Sequence, residues 1–93
     1  MTRAFLVAAM AASACGPSLE HRQSRERMAR VTWESSLSLC REERRLVAAG
    51  GQADGTGCAR SEEQRIAFLV ACQAARGDAA ACELAAQGIE GGR

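Results

Sequence analysis

Cysteine is the residue type best placed to do chemistry in this chain, at positions 15, 40, 58, 72 and 82 of 93 residues. A thiol can carry a lipid, close a disulfide, hold a soft metal or exchange disulfides. Intervals of 17, 13 and 9 residues separate the last four cysteines. None of these is the Cys-x-x-Cys spacing that sets two thiolates on one zinc ion or forms a thioredoxin-like redox pair. The rest of the catalytic repertoire is thin. His21 is the single histidine and lies in a strongly charged stretch, where it reads as a surface residue. No nucleophile–base pair and no paired carboxylates stand where a pocket is expected. The sequence therefore predicts a protein that is not an enzyme, with no catalytic residue, cofactor or metal.

Cys15 stands apart from the other four because of what precedes it. Arg3 supplies a positive start, residues 4–12 are apolar, and Ala12-Ser13-Ala14 are small. Those are the three parts of a secretory signal. The apolar run falls well short of the roughly 20 residues that span a bilayer. An uncleaved helix packed into the core, and ordinary cleavage that leaves Cys15 unmodified, are the two simpler readings. Ala12-Ser13-Ala14-Cys15 resembles the lipobox of bacterial lipoproteins, with Ala12 where that family favours leucine. The resemblance implies cleavage between Ala14 and Cys15, a diacylglycerol and palmitate-bearing anchor on Cys15, and a place in the bacterial cell envelope. The periplasmic face of the outer membrane is favoured.

Four cysteines remain, an even number in a small exported chain, which argues for two disulfides. Three connectivities are possible, and helix geometry ranks them. Cys72 and Cys82 lie equally far on either side of Gly77, the middle of a proposed turn. An antiparallel hairpin would bring them level, within reach of a bridge. Cys58 and Cys72, if both helical, would be up to roughly 20 Å apart. Pairing Cys40 with Cys58 and Cys72 with Cys82 is therefore favoured. Retention in a reducing compartment would instead favour metal binding by the four thiols.

The elements that position these residues are helical. After Gly16-Pro17, a helix is predicted from a Ser18 N-cap to about residue 49, supported by Glu26→Arg30, Arg22–Glu26 and Arg30–Glu34 pairs. Its first half, Glu20 to Arg30, has only one large apolar side chain, Met28. It reads as a solvated stalk. Further along, Met28, Val31, Leu39 and Leu46 share one side, and Trp33, Leu37, Cys40 and Val47 another, with Trp33 expected to anchor the core. Residues 50–57 include four glycines and form a loop. They lack the preceding strand and following Lys-Ser/Thr of a phosphate-binding loop.

A second helix is predicted to start at Ser61, with Gln64 completing a capping box. Residues 66–72 are apolar nearly all round and are expected to be the most buried segment. Arg76-Gly77-Asp78 makes a turn; its likeness to an adhesion tripeptide is fully explained by turn chemistry. A third helix is expected from about Asp78 to Gln87, capped by Gly88.

The expected fold is all-α: a small disulfide-stapled helical hairpin or three-helix domain following a signal peptide. Residues 1–14 form the signal, 15–30 the tether and stalk, and 31–93 the domain. The mature chain falls near the ~70–80 residues at which one core barely outweighs chain entropy. Its aromatics are reduced to Trp33 and Phe68, so covalent staples matter. The 12 basic residues are all arginine against 11 carboxylates. That balance gives no field that would attract nucleic acid or an anionic membrane surface.

The segment Ala71-Cys72 … Gly77-Asp78 … Ala81-Cys82 … Leu84 … Gly88 is similar to the cysteine-rich Sel-like repeats, relatives of the tetratricopeptide repeat. The resemblance implies a helical hairpin bridged by its two cysteines, and one repeat of this kind is visible. The functional expectation is a lipid-anchored structural or protein-interaction module of the envelope, with an envelope protein as partner and no evident small-molecule substrate. The alternative is a periplasmic thiol/disulfide or soft-metal-binding protein.

Overall fold

Leu19–Ala48 forms one uninterrupted helix, α1, followed by α2 at Thr56–Arg76 and α3 at Ala79–Gly91, in a computed structural model that describes residues 16–92. Ala14 and Cys15, with the rest of the proposed signal, lie outside the described residues. The fold is an all-α hairpin of α1 and α2, with α3 turned back onto it and two disulfides across the helices.

Local chemistry sets most boundaries. The Ser18 hydroxyl accepts the His21 amide at 3.2 Å and starts α1. At the far end, the Gly50 amide donates to the Val47 carbonyl and the Gly51 amide to the Leu46 carbonyl. Gly50 adopts φ +89°. This is the two-bond Schellman closure, which needs a left-handed residue where Gly50 stands. The Asp78 side chain accepts the Ala81 amide at 3.1 Å and opens α3.

Two boundaries differ from expectation. Helix α2 begins at Thr56, ahead of Ser61, which is buried inside the helix and caps nothing. Gly55 offers no side-chain cap. Glu43 of α1 does so instead: its Oε1 accepts the Gly57 amide at 2.7 Å and its Oε2 the Cys58 amide at 3.3 Å. A carboxylate on the first free amides of a helix is a charge-assisted cap. Helix α3 likewise passes through Gly88 and ends at Gly91. Continuing the helix buries Ile89 beside Ala86 and Cys82, and that burial outweighs the roughly 1 kcal/mol cost of a helical glycine.

The partners Glu26–Arg76, Trp33–Phe68 and Cys40–Cys58 run in opposite order along α1 and α2, which makes the pair antiparallel. The core is small. Trp33, Phe68, Cys72, Cys82, Ala86 and Ile89 form it, with Ala29, Leu37, Leu69 and Ala85 at its edge. Trp33 is fully buried, its ring centroid 5.4 Å from that of Phe68.

Residues 66–72 are not sealed all round: Ile66 and Val70 are exposed while Phe68 and Cys72 are buried. Among the described residues, the three helices leave no further layer to cover the outer face of α2. For the same reason Met28, Val31, Leu39 and Leu46 face solvent, and Val47 is exposed although Trp33 and Cys40 on its side are buried.

The first half of α1 is mostly exposed, yet three of its residues reach the hairpin. Ala29 packs on the core, and Arg22 Nη1 donates to the Ala74 carbonyl at 3.3 Å. Glu26 takes both Nε and Nη2 of Arg76, at 3.0 and 2.9 Å, rather than the expected i,i+4 partner Arg30. The two-pronged geometry and partial burial favour the long-range partner. Arg30 pairs with Glu34 at 3.6 Å.

Candidate functional site

The four cysteines with the clearest chemical potential are consumed in two bridges. Cys40 joins α1 to the first turn of α2, with Cα atoms 4.3 Å apart. Cys72 joins the last part of α2 to α3, with Cα atoms 5.8 Å apart. The bridges are far apart because Cys58 and Cys72 share one continuous helix. At 1.5 Å per residue their separation is about 20 Å, so the four sulfurs do not converge on one ion. Among the described residues no group of three or more His, Cys, Asp or Glu side chains is placed to hold a metal.

The bridges differ in access. Cys72 and Cys82 are fully buried and Cys40 nearly so, whereas Cys58 is half-buried. An attacking thiolate must reach a sulfur along the S–S axis, and only the Cys40–Cys58 bridge offers a partly open side.

Other residues singled out by type have local roles. His21 is exposed on the first turn of α1. In the Arg76-Gly77-Asp78 triplet, Arg76 is held by Glu26, Gly77 adopts φ +68° to end α2, and Asp78 caps α3. Both charged ends of the triplet are therefore engaged inside the fold. The Glu26 carboxylate raises the pKa of Arg76, first by hydrogen bonding and then by charge attraction. Arg65 is raised in the same way by Glu62 on α2. In the interhelical loop, Asp54 accepts from both the hydroxyl and the amide of Thr56. Those bonds hold its carboxyl below its ordinary range.

A cleft of about 160 Å³ lies between α1 and α2 beside the Cys40–Cys58 bridge, closed at one side by Glu90 of α3. Trp33, Cys40 and Ser61 form its buried wall, and Arg41, Arg44 and Arg65 its charged rim. Apart from Cys40, expected as a disulfide partner, none of these is marked as a site residue by the sequence. The signal in the sequence was the run Arg41, Arg44 on the same side as Trp33 and Leu37, which becomes informative only once α2 is placed opposite. No helix of the described residues is long and apolar enough to cross a membrane.

Comparison of the chain with family models, curated proteins and solved structures finds no match.

Proposed function

We propose that this chain is an exported bacterial lipoprotein. In this reading it is held by lipid on Cys15 after cleavage from Ala14, and its helical hairpin serves as a small structural or protein-interaction module of the cell envelope. The observation that carries the module reading is the surface left by the fold. Among the described residues nine large apolar side chains remain exposed, spread over all three helices, while the four cysteines after Cys15 are paired. Contiguous exposed apolar surface, rather than scattered side chains, is characteristic of faces that meet other proteins, and Met28, Val31, Leu39 and Leu46 share one exposed side of α1. Sealed disulfides suit a staple better than a redox centre. The signal-like residues 1–14 and the lipobox-like Ala12-Ser13-Ala14-Cys15 support the address, and the periplasmic face of the outer membrane is the favoured location.

The half-buried Cys58 favours a second reading, a periplasmic protein that exchanges disulfides through the Cys40–Cys58 bridge. Two measurements on the membrane-extracted protein decide between them. Intact mass should show a species beginning at Cys15 with added acyl mass, and thiol titration without reductant should find no free thiol. An unmodified full-length chain in the cytosol sinks the lipoprotein reading, and two reactive thiols at Cys40 and Cys58 support the exchange reading.

A further inference from the structure

One of the two bridges can be reached from solvent, beside a groove in which a partner could sit. Cys72 and Cys82 are fully buried, and of the four paired cysteines only Cys58 is half-buried. An apolar groove of about 380 Å³ runs past Cys58 between the end of α1 and the interhelical loop. Val47, Ala48 and Ala53 line it, and Val47 is 56 % exposed. Charge is uneven across the bridge. Glu43 Oε2 lies 3.3 Å from the Cys58 amide nitrogen, and the Cys40 carbonyl oxygen lies 3.5 Å from Cys58 Sγ. Both disfavour negative charge on the Cys58 sulfur. Arg44 stands one turn beyond Cys40 in α1 and lines the spaces on both sides of the bridge. It forms no ion pair with another described residue. Burial opposes a thiolate at Cys40, so this cation is what lets the Cys40 sulfur carry charge.

We propose that Cys58 is a covalent docking site for a cysteine of a partner protein, carried on a segment with apolar neighbours. The partner's thiolate attacks Cys58 Sγ from the side away from Cys40. A new S–S bond joins the partner to Cys58, the Cys40–Cys58 bond breaks, and its electron pair leaves on the Cys40 sulfur. In the reverse step the Cys40 thiolate attacks the same Cys58 sulfur, expels the partner's thiolate and restores the bridge. One disulfide stands before and after each step, so no oxidant or reductant is consumed. The apolar side chains beside the partner's cysteine fill the groove along Val47, Ala48 and Ala53. Opening this bridge leaves the core in place, because the cluster of Trp33, Phe68, Cys72, Cys82, Ala86 and Ile89 contains neither Cys40 nor Cys58. The inference rests on the interaction-module reading and gives that module a reversible covalent hold on its partner.

The test uses the full chain with both bridges closed and two blocked peptides, Ala-Leu-Cys-Val-Ala and Gly-Ser-Cys-Gly-Ser. Each peptide is added without any other thiol, and the products are acid-quenched, alkylated and mapped by mass. The mixed disulfide should sit on Cys58, with Cys40 alkylated and Cys72–Cys82 intact. The apolar peptide should react about fivefold faster, the gain from partly burying its two large side chains. Arg44→Gln should slow capture about threefold, and Arg44→Lys should keep the parent rate. Helical circular dichroism and a zero thiol count before mixing establish that each variant is folded, and the comparison of peptides on the parent chain needs no variant. Acyl mass on Cys15 and the resting thiol count are read on unmixed protein, so a failure here is distinct from a failure of the module reading. No capture, or a peptide found on Cys40, Cys72 or Cys82, overturns the site. Equal rates for the two peptides overturn the groove, and an unchanged rate in folded Arg44→Gln overturns Cys40 as the leaving sulfur.

Discussion

Glu43 shows at the scale of one residue how much a single side chain can decide. Asp54 takes the first amide of α2 locally, and the Glu43 carboxylate caps the next two from another helix. Glu43→Gln keeps one acceptor but loses the charge, and should cost about 1 kcal/mol in denaturant unfolding. Gly57 is the reciprocal residue: a Cβ there would sit 2.9 Å from Glu43 Oε1 and 3.3 Å from the Leu39 carbonyl carbon. Gly57→Ala should therefore be destabilising although alanine favours helices. Asp54 gives a pH signature. Hydrogen bonds from Thr56 lower its pKa from the ordinary 3.8. A depressed carboxyl favours the folded state above its unfolded pKa, and that contribution is lost as the pH falls through the folded value. Acid unfolding followed by circular dichroism should accordingly be less steep below pH 3.8 in Asp54→Asn than in the parent.

Element by element, what the sequence revealed followed from short-range chemistry. Ser18, Gly50, Gly77 and Asp78 act within a few residues of themselves, and the boundaries they control were readable from residue type alone. The pairing of Cys72 with Cys82 was also legible, because one tight turn fixes the height of both. Ser61 misled for a definite reason. A serine followed by acidic residues and Gln64 has the form of a helix start, but the true start is supported by Glu43 from fourteen residues before Gly57. No local pattern contains that contact. The same holds for Glu26, whose partner Arg76 is fifty residues away. Gly88 misled because burial of Ile89 outweighs a local stop signal. Nothing lies within 4 Å of a Cβ built at Gly88, so Gly88→Ala should raise stability by about 0.5–1 kcal/mol, read as a higher melting temperature.

For the molecule as a whole, the hairpin is clamped twice. Cys40–Cys58 and Glu43 hold the loop end, while Cys72–Cys82, the Glu26–Arg76 pair and the Arg22–Ala74 bond hold the turn end. Trp33 and Phe68 fill the space between. With so few large side chains in the core, Trp33→Ala should cost about 3–5 kcal/mol and leave the reduced protein unfolded at room temperature, measurable by loss of helical signal. Each bridge should contribute roughly 3 kcal/mol on the chain-entropy account. Burial sets the order in which they yield: a mild thiol reductant should open the Cys40–Cys58 bridge first and leave Cys72–Cys82 closed, giving a one-bridge species that mass mapping of alkylated peptides identifies.

The uninterrupted course of α1 also makes the molecule a spacer. Thirty helical residues at 1.5 Å each extend about 45 Å, and the double clamp keeps that rod from bending freely against α2. Whatever meets the glycine loop at one end, with Leu46 and Val47 exposed beside it, therefore does so at a set reach from whatever grips Ser18 at the other.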